Sequence, residues 1–170
     1  MLWFTSDTHF GHANVLHFTD RPFGDIAHMN RALINAINER VAPTDDLYIL
    51  GDFSYQMTAV EAAALRSKIN CRKVHIVPGN HDKDWTHKDV AGTFIVEPPI
   101  VRINIHGQKI VLSHYPLMEW QSMSRGSWHL HGHIHSAGSV YNELNRKQGL
   151  MRYDVGVDAN DLAPVSLDEI

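Results

Sequence analysis

Seven residues with metal-binding side chains stand where short apolar segments of the chain end. They are two aspartates, one asparagine and four histidines: Asp7, His9, Asp52, Asn80, His114, His133 and His135. Nitrogen and oxygen donors without a thiolate disfavour a structural zinc site or a copper(I) site, and they suit Mn, Fe, Zn, Co or Ni. Seven donors are too many for one tetrahedral ion, so the set predicts two divalent ions that share a carboxylate.

Two pairs within this set are separated by a single residue. Asp7 and His9 form the first pair, and His133 and His135 form the second. Alternate side chains of an extended strand point to the same side, so each pair is expected to bind one ion or two neighbouring ions. Taken alone, the first pair could instead belong to a turn at the end of a strand, whose side chains cap backbone groups.

Histidine is unusually frequent in this chain. There are 13 histidines against 15 lysines and arginines, and they are scattered rather than gathered in a terminal tag. His129 and His131 continue the alternation of the second pair. For these two, packing or solvent contact is favoured over a supporting role beside a metal.

The first half of the chain predicts the elements that would position these residues. Apolar runs at 1–5, 47–50 and 74–77 predict strands, and residues 28–41 and 58–69 predict helices between them. This alternation indicates parallel βαβ units. Because the carboxyl ends of parallel strands meet at one rim of an open sheet, the polar residues that follow the strands are expected to converge.

The second half has a different pattern. Residues 100–105 and 109–113 alternate around a turn and predict a hairpin. Short strands are predicted at 128–135, 139–141 and 153–157, without long helices between them. The fold class is therefore predicted to be α/β, with a parallel core extended by antiparallel strands, in a single domain over residues 1–170.

Composition narrows the classes of protein. A hydrophobic fraction of 44% and a charged fraction of 20% are typical of soluble globular domains. No apolar run approaches the roughly 20 residues that span a bilayer. The single cysteine, Cys71, excludes an internal disulfide and fits a reducing cytoplasm. A net charge of −4 without a basic block argues against a broad nucleic-acid-binding surface, but two bound cations would still attract an anionic substrate.

Five short motifs of the chain resemble, in order, the motifs of the calcineurin-like metallophosphoesterases. They are Asp7-Thr8-His9, Gly51-Asp52, Gly79-Asn80-His81-Asp82, Ser113-His114 and Gly132-His133-Ile134-His135. The segment from Ser6 to Phe23 resembles small bacterial and phage phosphoesterases of this family. The resemblance implies central mixed β-sheets flanked by helices, in a four-layer α/β/β/α sandwich.

The resemblance also assigns two metal sites, the first with Asp7, His9 and His135 and the second with Asn80, His114 and His133 as ligands. Asp52 would bridge the two ions, with each carboxylate oxygen taking one. Two such ions can share a water molecule and present it as hydroxide to phosphorus. Mn²⁺ is the preferred metal, with Fe, Zn, Ni or Co as alternatives.

Other residues near the motifs are candidates for catalysis and substrate binding. His81, beside ligand Asn80, is the candidate general acid for the leaving oxygen, and Asp82 would orient it and help to keep it protonated. Candidates for contacts with a substrate are one histidine, one asparagine and two arginines: His12, Asn14, Arg21 and Arg125.

The predicted function is metal-dependent hydrolysis of a small phosphate ester, with a phosphodiester or nucleotide favoured over a monoester. Serine/threonine protein phosphatases of the superfamily carry Asp-Arg-Gly in the second motif and Asn-His-Glu in the third. Here Asp52 is followed by Phe53, and the third motif ends in Asp82. Both departures argue against a protein phosphatase.

Three alternatives stay open at this point. A non-catalytic metal-binding scaffold could keep the ligands, although it would have no use for His81. A dinuclear hydrolase of another class would use similar ligands, usually in a denser His-x-His-x-Asp-His run. A nuclease would be expected to show a basic groove.

Overall fold

Two β-sheets and four α-helices make up the computed structural model, which describes residues 1–170. In chain order the elements are β1 Leu2–Thr5, α1 Val15–Phe18, α2 Ile26–Arg40, β2 Asp46–Ile49, α3 Ala59–Arg66, β3 Lys73–Ile76, β4 Ile95–Val96, β5 Ile100–Ile105, β6 Gln108–Ser113, β7 Trp128–His131, α4 Val140–Lys147, β8 Arg152–Asp154 and β9 Val165–Ser166. Three short 3-10 turns lie at Met123–Arg125, Val157–Ala159 and Leu167–Glu169.

The two sheets have different strand arrangements. The five-stranded sheet has the order β4-β3-β2-β1-β9, in which only β9 is antiparallel to its neighbour. The four-stranded sheet has the order β5-β6-β7-β8, with β5 antiparallel to β6 and the other pairs parallel. Both sheets are mixed, and the predicted α/β class is confirmed.

The core has two layers on opposite faces of the five-stranded sheet. In β1, Trp3 belongs to a core that includes α2 residues such as Leu33 and Ile37, whereas Phe4 belongs to a second core with Leu112 and other residues of the four-stranded sheet. This alternation follows from the two-residue period of a strand. Helices and both sheets are thereby stacked as the sandwich predicted from the family resemblance.

The helices of the first half agree with the sequence pattern. Predicted helix 28–41 is α2, which begins after Asp25, whose side chain accepts a hydrogen bond from the His28 amide at 2.7 Å. Predicted helix 58–69 is α3, where Thr58 and Glu61 form a reciprocal capping box. Such caps satisfy amide groups that the first helical turn leaves unpaired.

Helix α4 contradicts the prediction of a short strand at 139–141. Its buried residues are Asn142 and Asn145, and their amide groups donate to the carbonyls of Asp154 and Arg152, each at 3.0 Å. Hydrogen bonds to the β8 backbone therefore replace apolar packing on this face. The apolar residues Val140 and Leu144 of this helix are exposed instead, so the face that packs against β8 gives no hydrophobic signal in the sequence.

A membrane-crossing helix, which would need a long apolar segment, is not among the helices of this structure.

Candidate metal centre

Loops that follow strands of both sheets meet at one rim and bring the seven predicted ligands together. The loop after β1 lies against the loop after β2, with the Asp7 amide donating to Gly51 O at 3.1 Å. The His133 amide, after β7, donates to Asp7 Oδ2 at 2.9 Å and joins the two sheets. Hydrogen bonds from backbone amides, one to a carbonyl and one to the Asp7 carboxylate, thus hold the rim together within the protein itself.

Asp7, His9 and His135 form the first cluster of donors. Asp7 Oδ1 lies 3.9 Å from His9 Nε2 and 3.9 Å from His135 Nε2. Asp7 and His9 are buried, and both Asp7 Oδ1 and His9 Nε2 lack a hydrogen-bond partner. Buried polar atoms without a partner destabilise a fold, so these two atoms are suited to a cation between them.

Asn80, His114 and His133 form the second cluster. His114 Nε2 lies 2.9 Å from Asn80 Oδ1 and 3.2 Å from His133 Nδ1. His114 Nδ1 lies 2.8 Å from Leu50 O, which can only accept, so a neutral ring donates there and keeps a lone pair on Nε2. That lone pair faces the amide oxygen of Asn80, which is also an electron-pair donor. Because two such atoms cannot form a hydrogen bond with each other, a cation bound by both would suit them.

Asp52 lies between the two clusters. Its Oδ2 is 3.5 Å from His9 Nε2 and 3.6 Å from His114 Nε2. Its Oδ1 accepts a hydrogen bond from the His81 amide at 2.9 Å. The geometry therefore differs from the expectation that each oxygen would take one ion, because a single oxygen faces both clusters.

The donor spacing and protonation of the first cluster fit a divalent metal ion. Two ligands at about 2.1 Å from one ion lie roughly 3.0–3.5 Å apart. Donor atoms in the second cluster are 2.9 and 3.2 Å apart, and the 3.9 Å separations in the first cluster are slightly wider. Burial raises the pKa of Asp7 to about 6, against the opposing charge of His135. Burial also lowers the pKa of His9 to about 2, which keeps its ring neutral and its lone pair free. Metal-binding groups of His and Asp residues are thus present.

The backbone at most of these ligands is left-handed rather than extended. Positive φ angles between 47° and 74° occur at five of the seven: Asp7, His9, Asp52, His133 and His135. The prediction that an extended strand aligns each pair is therefore wrong, because β1 ends at Thr5 and β7 ends at His131. Asp and His tolerate this region better than most residues, which suits them to tight loops at a functional rim.

Glycines allow the ligand loops to approach one another closely. A Cβ atom at Gly51 would lie 2.5 Å from His114 Nδ1 and 2.7 Å from the Cα of Gly79. A Cβ atom at Gly132 would overlap the side chains of Ser6 and Asp7. Any side chain at Gly51 or Gly132 would push ligand residues apart.

Two ligands of the first cluster are held by further side chains. His9 Nδ1 lies 3.2 Å from His12 Nδ1, and His135 Nδ1 lies 2.7 Å from Asp158 Oδ2. Although burial alone would lower the pKa of His135, the hydrogen bond to Asp158 and the charges of Asp7 and Asp158 together raise it. Such partners fix the ring orientation and increase the basicity of a ligating histidine. His12 is therefore placed beside ligand His9, where its ring supports that ligand.

Arg21 is committed to other protein groups, contrary to the prediction of a substrate contact. Its guanidinium forms a two-point ion pair with Asp158 at 2.7 and 2.9 Å and donates to the carbonyls of Asp7 and Thr8. It is only 4% exposed. Arg21 therefore holds Asp158 and the loop after β1 in place, and its guanidinium is not free to bind a phosphate.

Asp82 also has a different role from the one predicted. Its Oδ2 accepts from the amides of Asp52 and Gly79 at 2.9 and 2.8 Å, and its Oδ1 accepts from the amide of Phe53 at 3.0 Å. Both oxygens are occupied by the backbone, so Asp82 fastens the β3 loop to the β2 loop instead of orienting the ring of His81.

His81 lies at the opening of the centre, where its ring is half-buried. The ring centroid is 5.6 Å from that of His9 and 4.7 Å from that of Tyr55. Its backbone amide, which donates to Asp52, holds it beside both clusters. This placement brings an imidazole to the metal centre without making it a ligand.

The remaining candidates are exposed or belong to the core. Asn14 precedes α1 and Arg125 ends a 3-10 turn, and both side chains are exposed, so their substrate contacts stay predictions. His129 and His131 are fully buried, and burial lowers the pKa of each to about 4. His129 bonds to Val111 O and to the Leu117 amide, in agreement with the packing interpretation.

Known proteins resemble this chain in both sequence and fold. The calcineurin-like phosphoesterase superfamily domain matches residues 1–156. An uncharacterized protein of Methanocaldococcus jannaschii is 31% identical over 170 residues, covering 99% of this chain and 88% of the relative.

Solved structures extend this likeness. A protein of unknown function from Aquifex aeolicus superposes with a TM-score of 0.77 at 24% identity, over 99% of this chain and 96% of that one. The phosphoesterase Yfce from E. coli superposes with a TM-score of 0.52 at 16% identity, over 98% and 81% of the two chains.

Proposed function

This chain belongs to the calcineurin-like phosphoesterase superfamily, and from that premise we propose that it hydrolyses phosphodiesters or nucleotide-type phosphate esters with two divalent metal ions. Asp7, His9 and His135 would hold one ion, and Asn80, His114 and His133 the other. Asp52 would contact both. Because ligands come from both sheets, residues 1–170 would act as one catalytic domain.

The position of Asp52 is the observation that carries the proposal. One carboxylate oxygen lies within 3.6 Å of a histidine nitrogen in each cluster. A single carboxylate oxygen between two groups of donors is an arrangement that suits two cations lying side by side. When bound, the two ions would lower the pKa of a water molecule and offset charge that grows on the phosphate oxygens.

The residues of the chain have separate tasks in this reaction. His81 would donate a proton to the leaving oxygen, since its ring lies beside His9 of the first cluster and its amide is bonded to Asp52 between the clusters. Asp82 keeps the loop that carries His81 fixed by accepting three backbone hydrogen bonds. Asn80 provides an uncharged oxygen, which leaves the centre more positive toward an anion than an aspartate there would.

The charges around the centre favour a diester over a monoester. A monoester carries up to two negative charges and is commonly bound with the help of arginine. The arginine beside the first cluster, Arg21, already binds Asp158 and two carbonyls. A diester carries one negative charge, which two ions can balance without another cation. We take Mn²⁺ as the working metal because the donors are oxygens and imidazoles.

The function is tested by metal analysis together with turnover. Purified protein loaded with Mn²⁺ is expected to hydrolyse bis(p-nitrophenyl) phosphate faster than p-nitrophenyl phosphate. Asp52→Asn is expected to lose bound metal and turnover together. No turnover with Mn²⁺, Ni²⁺, Co²⁺, Fe²⁺ or Zn²⁺ would contradict the enzymatic proposal and favour a metal-binding scaffold.

The role of His81 is tested separately. His81→Ala is expected to retain both metals and to lower turnover by about 10²–10⁴-fold. His87→Ala is a matched control, because His87 lies in the same β3–β4 connection with a 57% exposed side chain. Loss of metal from His81→Ala with unchanged turnover per bound metal would show that His81 is not the acid.

A further inference from the structure

Two exposed aromatic rings flank the candidate metal centre, one beside each cluster. Phe18, at the end of α1, is 58% exposed, and Tyr115, directly after His114, is 49% exposed. The Phe18 ring centroid lies 5.8 Å from that of His135 in the first cluster. The Tyr115 ring centroid lies 4.4 Å from that of His133 in the second cluster.

Packing in the core does not account for these rings. Phe18 belongs to neither hydrophobic core, and the buried residue of the short helix α1 is Val15. Tyr115 follows the buried His114 but points its ring toward His133 at the surface. Large apolar side chains that stay exposed beside a catalytic centre are typical of surfaces that bind a ligand.

The charge of the centre also limits how a substrate can be recognised. The guanidinium of Arg21 is turned inward to Asp158, and the whole chain has a net charge of −4. Metals would bind the phosphate, and Arg21, the arginine beside the first cluster, is already paired with protein groups. The organic groups of the substrate must therefore be recognised through uncharged contacts.

We infer that Phe18 and Tyr115 are specificity-determining residues that stack on the aromatic groups carried by the two organic arms of a nucleoside phosphodiester. The inference rests on the proposed phosphodiesterase function. A phosphodiester has two organic arms, and the two rings lie beside opposite ends of the paired clusters. Stacking accepts every nucleobase because each has a π face, and it needs no basic groove.

The inference is tested with two esters that share a leaving group and a charge. Thymidine 5′-(p-nitrophenyl phosphate) carries a nucleobase, whereas methyl p-nitrophenyl phosphate carries none. The kcat/KM of the Mn²⁺-loaded protein is expected to be higher for the thymidine ester by roughly 5- to 150-fold, the range that one stacked base provides. The advantage should lie mainly in KM, because stacking stabilises bound substrate and transition state alike.

Substitutions of the two rings should remove this preference. Of Phe18→Leu and Tyr115→Leu, the one that removes the ring on the nucleobase is expected to lower the thymidine-to-methyl ratio of kcat/KM, while the other, whose ring meets the p-nitrophenyl group, should slow both esters alike. Tyr115→Phe, which keeps a ring, should retain the wild-type ratio. Met118→Ala is the matched control, since Met118 lies in the same loop as Tyr115 and is 89% exposed. Metal content is measured for each variant, so that a disturbed ligand histidine is recognised.

The outcomes separate this inference from the proposed function. Equal kcat/KM for the two esters in the wild-type protein overturns the inference while the hydrolase proposal stands. The same conclusion follows if neither Phe18→Leu nor Tyr115→Leu lowers the ratio of the two esters, because neither ring would then contact the nucleobase. Absence of turnover on both esters overturns the proposed function and the inference with it.

Discussion

The two donor clusters use similar side chains but differ in how firmly the protein holds them. In the first cluster, Asp7 and His9 are buried, His9 is held by His12, and His135 is held by Asp158. In the second cluster, only His114 has a protein partner behind it, through Leu50 O, while Asn80 is exposed and His133 is half-buried. The first cluster also carries a carboxylate of its own, and the second does not.

This difference indicates that ligand identity alone does not set metal affinity. A ligand already held in its binding geometry loses little entropy when an ion arrives, and a carboxylate adds charge attraction. The first cluster should therefore act as a permanent site, and the second as a site that fills and empties more readily.

The most severe test removes the carboxylate that distinguishes the first cluster. Asp7→Asn is expected to lose the tightly bound ion and to lower turnover by roughly 10³-fold, since a metal ion contributes several kcal/mol of charge stabilisation. Metal content after dialysis and kcat are measured together. Asp89→Asn, an exposed aspartate, is the control. If Asp7→Asn retained the tightly bound ion, the proposal that the first cluster binds metal more tightly than the second would be contradicted.

The wild-type protein should show the difference directly. Calorimetric titration of metal-free protein with Mn²⁺ is expected to resolve two classes of site whose affinities differ by about 10–100-fold, because supporting partners of ligands contribute effects of that size. Asn80→Ala should lose the weaker class and keep the tighter one. Two equivalent sites in the titration would contradict the comparison.

Weakening the hydrogen bond that holds His135 should reduce the difference in metal affinity between the two classes of site. Asp158→Asn keeps the shape of the side chain but weakens its bonds to His135 and Arg21, so the tight class is expected to weaken by about tenfold while the other class is unchanged. Asp161→Asn, an exposed position in the same segment, is the control. Equal weakening of both classes would instead indicate a general loss of fold, which thermal unfolding without metal would detect.

Acid should affect the first cluster more than the second. Burial raises the pKa of Asp7 to about 6, whereas the pKa of His135 is raised, against burial, by its hydrogen bond to Asp158 and by the charges of Asp7 and Asp158. Protons therefore compete with the metal for His135 already above pH 6.5 and for Asp7 below about pH 6, and the tight-class affinity should fall by about tenfold per pH unit for each proton displaced. Above the two pKa values the affinity should level off. An affinity that is constant from pH 7 to pH 5 would contradict this pattern.

The convergence of the ligands could be predicted because it depends on topology. The βαβ units of the first half place residues after each strand at one rim, and the hairpin and later strands add the second sheet. The backbone conformation there was not predictable from spacing, because the left-handed turns after β1 and β7 arise from contacts between loops that are far apart in the chain.

Side chains that touch distant residues were predicted less well. Arg21 has no carboxylate partner nearby in the motif that carries it, because its partner Asp158 lies 137 residues away in the sequence. Asp82 stands beside His81, but its oxygens bind amides after β2. In both cases the role of the side chain follows from hydrogen bonds to buried groups that are distant in the sequence. A prediction from the neighbouring residues therefore named the wrong partner.

The glycines between the ligand loops affect how a mutational map of this protein would look. Gly51, Gly79 and Gly132 each precede a ligand and lie where two loops nearly touch. A saturation screen scored on activity would rank them with the ligands, although none carries a functional group. At these positions a substitution would fail because a side chain does not fit between the loops. Low tolerance in such a screen would therefore reflect close packing of the backbone and not a catalytic group.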